Sequence, residues 1–413
     1  MSAGLNIDGD RLWSRLMNMA LVGATAAGGS NRQALSDDDA DGRALFVQWC
    51  EAAGCTVDTD DIGNLFARRP GSDPTALPVV LGSHLDTQPT GGRFDGVYGV
   101  LGGLEVIESL NDHDVTTVAP IEVAVWTNEE GSRFPVSMMG SAVWADVLPI
   151  DEVRSLRDVG GTSVGDELDR LEWVGGLGHA RPLGHYVELH IEQGPVLETS
   201  GNQIGVVAGV QGFRWFTISL RGHAAHAGPT PMDVRRDPAR PLADIVRGIY
   251  RMAEALGPAA RATPAQFRAE PVSPNTVPSL VEFSVDLRNP DATALASMEA
   301  ELRHLVETSA INHRCEFDIA RTNNSPPVHF DERVVAAVTN TAARCGFSSE
   351  VITSGAGHDA CNVAPHCPTG MIFVPCKDGL SHNEAESIDP DDASRGVEVL
   401  YGSTLHLAGV ATN

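Results

Sequence analysis

Three short apolar runs, each breaking off into histidines and carboxylates, constrain this chain more than anything else in it. Leu77-Pro-Val-Val-Leu-Gly-Ser-His84 leads into Leu85-Asp86. Ile121 to Trp126 leads into Thr127-Asn128-Glu129-Glu130, and Tyr186 to His190 into Ile191-Glu192-Gln193-Gly194-Pro195. Apolar runs of this length, bounded by polar residues, read as buried strands. Between the first two, Val97 to Leu110 repeats apolar residues at helical spacing, with Val100, Leu104, Ile107 and Leu110 on one side. Strands alternating with helices favour an α/β layout, and open sheets of that kind place their sites beyond the carboxyl ends of the strands.

The middle of the chain changes character. Phe213 to Leu220 alternates like a strand, Pro241 to Leu256 has helical spacing, Leu280 to Leu287 alternates again, and a helical stretch through Leu302 and Val306 follows. This predicts a compact sheet with two helices on one face, inserted into a larger domain, with Ser325-Pro326-Pro327 as the exit. The expected division is 1–211 with 328–413 for the large domain and 212–327 for the insert. Leu12, Leu16 and Met19 predict a short amphipathic opening helix, and residues 42–61 read as a helix and then a turn without obvious chemistry.

Composition narrows the function. The net charge of −26 argues against nucleic acid and anionic membranes, whose phosphates attract basic surfaces. No apolar run approaches the roughly 18 residues of a membrane span, and Met1 to Leu21 lacks a signal-peptide core. Seven cysteines without a CxxC pair point to reduced thiols and a cytoplasmic protein.

The polar run-outs carry the chemistry. His84-Leu85-Asp86 is followed by Gly91-Gly92-Arg93-Phe94-Asp95-Gly96. Residues two apart on an extended segment point the same way, so the Asp86 carboxylate is expected beside His84, accepting its second ring N–H. Asp95 lies in a glycine-rich turn, where a carboxylate could bridge two ions. Glu129 and Glu130 follow a buried strand, where unpaired negative charge is costly unless it meets cations or protons; one could bind metal while the other serves as general base. His190 ends a strand, and His382 sits in the polar loop Gly379-Leu-Ser-His382-Asn-Glu-Ala-Glu386. Nitrogen and oxygen ligands without cysteine suit Zn²⁺, Mn²⁺, Co²⁺ or Ni²⁺.

The strings GSHLDTQPTGGRFDGVYGV from Gly82, TNEEGSRFPVSMMGS from Thr127, ELHIEQGPVLE from Glu188, GHAAHAGPTPM from Gly222, SGAGHDA from Ser354 and SHNEAE from Ser381 run through nearly the whole chain in order. The sequence they compose resembles the peptidase M20 superfamily, specifically its hydantoinase/carbamoylase branch. That resemblance implies an α/β catalytic domain with a mixed sheet flanked by helices, plus a smaller inserted α+β domain for lid and dimerisation. It implies two divalent metal ions, one served by His84, Asp95 and His190, the other by Asp95, Glu130 and His382. Glu129 would be the general base, Asp86 would support His84, and His226 would stabilise the oxyanion. Gln193, Asn275, Arg288 and the backbone near Gly357 would contact substrate; the Arg288 guanidinium suits a carboxylate in two-point fashion. A cis Asp95–Gly96 peptide is expected by the same analogy.

The implied reaction is hydrolysis of the carbamoyl C–N bond of an N-carbamoyl-L-amino acid or N-carbamoyl-β-alanine, by a homodimer whose lid opens and closes. An allantoate or ureidoglycolate amidohydrolase would use the same ligands. Gln88-Pro-Thr-Gly-Gly-Arg93 and Met138-Met139-Gly-Ser141 resemble the carbamoylase strings more closely. An M20 aminoacylase or peptidase fits HIEQGP less well. A catalytically silent binding scaffold would be signalled by a missing base or ligand, and none is missing.

Overall fold

The structure is a computed structural model and describes residues 6–411. In chain order its strands are β1 (Thr56–Thr59), β2 (Leu65–Arg69), β3 (Val79–His84), β4 (Ile121–Trp126), β5 (His185–Ile191), β6 (Ile204–Val210), β7 (Gly212–Arg221) and β8 (Ala225–His226). They continue with β9 (Arg261–Glu270), β10 (Thr276–Val277), β11 (Leu280–Asn289), β12 (Glu316–Ser325), β13 (Val328–His329), β14 (Ser349–Ser354) and β15 (Thr369–Val374). The chain forms two compact units, one running to Ala208 and resuming at His329, the other spanning Gly209–Val328.

The larger unit is built on a nine-stranded mixed sheet in the order β1-β2-β4-β3-β5-β15-β6-β13, with β14 paired to β6. Its centre, β4-β3-β5-β15, is parallel. Antiparallel pairs flank it, β1 with β2 and β2 with β4 on one side, β15 with β6 on the other. Residues of the central strands β3, β4 and β15 are buried throughout, as expected of strands covered on both faces. Alternation divides β4: Ile121, Val123 and Val125 enter the main core, while Trp126 meets Trp144 edge-on at 5.7 Å.

The helix Val97–Asp112 is buried along nearly its whole length. Gly99 lets it approach the sheet, since a Cβ there would fall 2.2 Å from the Leu189 carbonyl oxygen. The opening helix, Gly9–Met19, buries Leu12, Leu16 and Met19. Residues 42–61 hold the expected helix and turn: the helix begins earlier, spanning Asp37–Ala52 with the Ser36 side chain as its cap, and the turn after it leads into β1, a strand that was not expected.

The smaller unit carries a four-stranded antiparallel sheet, β12-β7-β11-β9. Phe216, Ile218 and Leu220 of β7 and Val281, Phe283, Val285 and Leu287 of β11 share one core with helices Ala239–Leu256 and Ala292–Asn312. A separate ribbon pairs β8 with β10.

Candidate metal centre and active site

Four chemistry-bearing side chains of the larger unit sit where a central strand gives way to a loop, while Asp95 lies in the turn before the Val97–Asp112 helix and His382 in the loop after β15. His84 ends β3, His190 lies near the end of β5, and Glu129 and Glu130 follow β4 by three and four residues. The turn after β4 is fixed locally. Asn128 takes a left-handed φ of 54°, and its side-chain amide donates to the Phe134 and Val136 carbonyls. The amide of Met138 closes on the Glu129 carbonyl at 2.6 Å.

Asp95 is the hub. Its Oδ1 lies 3.1 Å from His190 Nε2 and 3.7 Å from His84 Nε2, and its Oδ2 lies 3.4 Å from His382 Nε2. His382 Nε2 is also 3.2 Å from Glu130. Among the described residues, ligand atoms of His84, Asp95 and His190 converge within 4.8 Å of one another, and so do those of Asp95, Glu130 and His382. The two groups share Asp95, one oxygen toward each.

The histidine rings are set for ligation. His84 Nδ1 bonds the Asp86 carbonyl and His190 Nδ1 the Ile191 carbonyl, both at 2.9 Å. Donation there fixes the tautomer and turns the Nε2 lone pairs toward Asp95. A third ring, His358, packs edge-on against His190 with centroids 4.7 Å apart, its Nε2 paired with Ser354 Oγ. Burial and the neighbouring His190 hold its pKa well below the ordinary value.

Electrostatics show what this cluster is suited to hold. Asp86, Asp95, Glu129, Glu188, Asp359 and Glu386 are all buried, a concentration of carboxylates that needs compensating positive charge. Burial, and then the charges of Asp359 and Glu130, push Glu129 well above the usual carboxylate range. Burial likewise raises Asp86 to about 6. For Asp95 burial pushes up, but the His190 hydrogen bond and the nearby histidines outweigh it and hold the carboxyl well below the usual range. The Glu130 hydrogen bond raises His382 to about 9. Protons are thus drawn to the places where cations would sit, and the residues fit divalent metal.

Two features differ from expectation. The Asp86 carboxylate does not serve His84: its Oδ1 is 3.9 Å from the ring, and the Asp86 carbonyl takes that role. The carboxylate instead accepts the amides of Glu129 and Glu130, both at 3.2 Å. The cause is that β3 stops at His84, so the alternation assumed for residues two apart no longer holds. The Asp95–Gly96 peptide is trans, since among the described residues the cis bond is Glu270–Pro271. Gly96 makes the sharp entry into its helix through a φ of +67°, and its trans amide donates to His190 Nε2 at 3.2 Å. A cis bond at a residue other than proline would cost about 3 kcal/mol and is not needed.

The Gln193 amide donates to Asp95 Oδ2 and to Ser381, leaving its Oε1 buried without a partner. Glu192 of the same string has a structural task, accepting the amides of Val196 and Leu197. Gly357 is exposed, with Met138 beside it.

Three other expected contacts lie in the smaller unit. His226 and Asn275 are brought together on the β8–β10 ribbon, where the Ala227 amide meets the Asn275 carbonyl and His226 Nδ1 accepts from Gly228. Arg288 stands on β11, bound to Asp286 at 2.9 Å and 5.5 Å from the Phe213 ring centroid.

Sequence reasoning passed over Arg32, Arg43 and Asp39. Arg43 pairs with Asp39 and reaches Thr127, and Arg32 grips the loop after His84. They sit in stretches without a chemical motif.

A sequence profile described as peptidase family M20/M25/M40 matches residues 80–406. The chain belongs to this family. Among M20 relatives it is 45% identical to an N-carbamoyl-L-amino-acid amidohydrolase of Rhizobium meliloti, over 98% of this chain and 97% of that one. It is 34% identical to an allantoate amidohydrolase of Escherichia coli, over 94% and 96%. A crystal structure of a hydantoinase/carbamoylase-family amidase from Burkholderia multivorans superposes with a TM-score of 0.95 at 48% identity, covering 98% of both chains.

Proposed function

We propose that this M20 hydrolase cleaves the carbamoyl C–N bond of an N-carbamoyl-L-amino acid or N-carbamoyl-β-alanine, releasing the amino acid, carbon dioxide and ammonia. The observation that carries the reading is Asp95, one carboxylate shared by two converging groups of nitrogen and oxygen donors. The 45% and 34% identities favour the carbamoylase reading over the allantoate one.

His84, Asp95 and His190 would hold one divalent ion, and Asp95, Glu130 and His382 a second; Zn²⁺, Mn²⁺, Co²⁺ and Ni²⁺ all suit this donor set. Bound there, the ions supply positive charge that acidifies water and polarises the carbamoyl oxygen. Glu129 takes the proton of the attacking water and returns it to the leaving nitrogen. A carboxylate within reach of the attacking water can perform both halves of that task, and Asp86 fixes its backbone.

Gln193, which also bonds Asp95 Oδ2, contacts the substrate, and the Gly357 backbone adds a donor. His226 steadies the developing oxyanion, a role worth about 3 kcal/mol in comparable sites, Asn275 supports the substrate, and Arg288 grips its carboxylate. The smaller unit then serves as lid and as the surface of a homodimer. Exposed Tyr250 and Phe267 on that unit support the latter. We place the enzyme in the cytoplasm, in keeping with its seven free cysteines.

The test is ammonia release from N-carbamoyl-L-amino acids, N-carbamoyl-β-alanine, allantoate and ureidoglycolate by enzyme loaded with each of the four metals. Turnover of the carbamoyl substrates is expected to dominate. Preference for allantoate would transfer the assignment, and release from none would sink it.

A further inference from the structure

We propose that Glu386 is a positioning residue of the metal centre, tying the Phe94–Asp95 turn to the Ser381–His382 loop and so setting how Asp95 faces both ligand groups. The inference rests on the metal reading above and concerns a side chain that reading does not use.

Glu386 is 1% exposed, and a buried carboxylate needs partners that justify its burial. Its Oε1 accepts two successive backbone amides, Phe94 at 3.0 Å and Asp95 at 3.1 Å. Its Oε2 lies 3.2 Å from the Ser381 hydroxyl, which is also 2.9 Å from Asp95 Oδ2. Gln193 Nε2 donates to both that hydroxyl and Asp95 Oδ2. The hub carboxylate is therefore held at both ends: its backbone by Glu386, its side chain by Ser381 and Gln193. Ser381 precedes His382, so the same few bonds fix the distance between Asp95 and a ligand far away in sequence.

The turn is shaped around Glu386. A Cβ on Gly92 would fall 2.0 Å from the Glu386 carboxyl group. The second glycine of Gly91-Gly92 thus makes room for a carboxylate. Glu386 is not itself a ligand candidate: it belongs to none of the converging donor groups among the described residues, and its oxygens face amides and a hydroxyl.

The geometry also predicts how substitutions differ. In Glu386→Gln the amide oxygen can still accept both backbone N–H groups, and its NH₂ can donate to Ser381 Oγ, freeing the hydroxyl proton for Asp95. In Glu386→Ala all three contacts are lost.

The experiment is Co²⁺ titration of the full-length, chelator-stripped protein. It reads stoichiometry and affinity by competition with a chromophoric chelator, the visible absorption of bound Co²⁺, and the melting temperature of the metal-free protein. Wild type is expected to bind two Co²⁺ per chain; failure there sinks the metal reading itself. Loss of a partner behind the ligands typically lowers metal affinity about 10–100-fold. Glu386→Ala should lose that much at one or both ions and show altered Co²⁺ absorption, while Glu386→Gln stays within about threefold of wild type. Wild-type affinity and spectrum in folded Glu386→Ala overturn the proposal, as does a loss in Glu386→Gln equal to that in Glu386→Ala. If Glu386→Ala does not fold, Ser381→Ala decides, since it leaves the backbone acceptor in place. Weaker Co²⁺ binding with an unchanged metal-free melting temperature supports the proposal; wild-type binding overturns it.

Discussion

Asp86 Oδ1 accepts the backbone amide of Glu129 at 3.2 Å, while its Oδ2 takes that of Glu130 at the same distance. One buried carboxylate thus fixes the backbone of the proposed base and of a proposed ligand, and through its carbonyl also sets the His84 ring. Asp86→Ala should leave two amides without acceptors, at about 1–3 kcal/mol for each that stays buried. It should also lower kcat by about 10–100-fold. Asn is not conservative here, because its NH₂ would face one of the amides. Urea unfolding and steady-state kinetics check both effects, and wild-type kcat in Asp86→Ala refutes the positioning role.

Arg32 offers a second test, gripping the residue next to a proposed ligand. It is 1% exposed, and its side chain donates to the carbonyls of Leu85 at 2.8 Å, Val22 at 2.7 Å and Met19 at 3.2 Å. Its own amide and carbonyl bracket Thr87. Burial lowers its pKa to about 10, so it remains a cation near neutral pH. Arg32→Met should cost about 3 kcal/mol or more, since several buried carbonyls lose their donor at once. Arg32→Lys should recover only part, because a single ammonium cannot reproduce the planar fork. A loss below about 1 kcal/mol in urea unfolding of the Met variant would show that the loop holds itself.

How much of this was legible follows from where each signal resides. The strands β3, β4 and β5 announce themselves because they are buried nearly throughout. The outer strands β9 and β12 do not: Arg-Ala-Thr-Pro-Ala-Gln-Phe-Arg-Ala-Glu and Glu-Phe-Asp-Ile-Ala-Arg-Thr-Asn-Asn-Ser are largely exposed and show no steady alternation. Their ladders with β11 and β7 also carry register shifts. In the site, histidines and carboxylates at strand ends can be read locally. The partner of His84 could not be, since a strand that ends one residue early exchanges a carboxylate for a carbonyl. Glu386 stands in the same loop as His382, yet its bonds to Phe94 and Asp95 come from folding alone.

Metal removal provides a third prediction. The metal-free centre gathers several buried carboxylates around one hub, so stripping divalent ions should lower the melting temperature as well as activity. Returning Co²⁺ or Zn²⁺ at about 100 times its dissociation constant should restore about 2.7 kcal/mol per site, provided the unfolded chain does not bind it. Differential scanning calorimetry reads the shift; equal melting temperatures with and without metal would argue against two built sites.

Glu129 and Glu130 are adjacent but are given different tasks, and substitution should separate them. Glu129→Gln should keep its metal content while kcat falls by about 10²–10⁴-fold, the range of a lost general base. Glu130→Gln should instead lose metal, because its carboxylate lies 3.2 Å from His382 Nε2 and is held by Gln88 at 2.8 Å. Elemental analysis beside kinetics distinguishes the two. Near-wild-type kcat in Glu129→Gln would remove it as the base.

Arg288 tests the substrate. Its guanidinium is set by Asp286 and packed near Phe213, so the fork is oriented before any ligand arrives. A charged hydrogen bond to a substrate carboxylate is worth about 1.5–3 kcal/mol, or about 10–100-fold in kcat/KM. Arg288→Ala should lose that much on N-carbamoyl-L-amino acids, mainly through KM, and Arg288→Lys should recover little because it cannot bind at two points. The corresponding N-carbamoyl amines, which carry no carboxylate, should be poor substrates for wild type and no worse for the variant. Equal losses on both would mean that Arg288 supports the strand rather than the substrate.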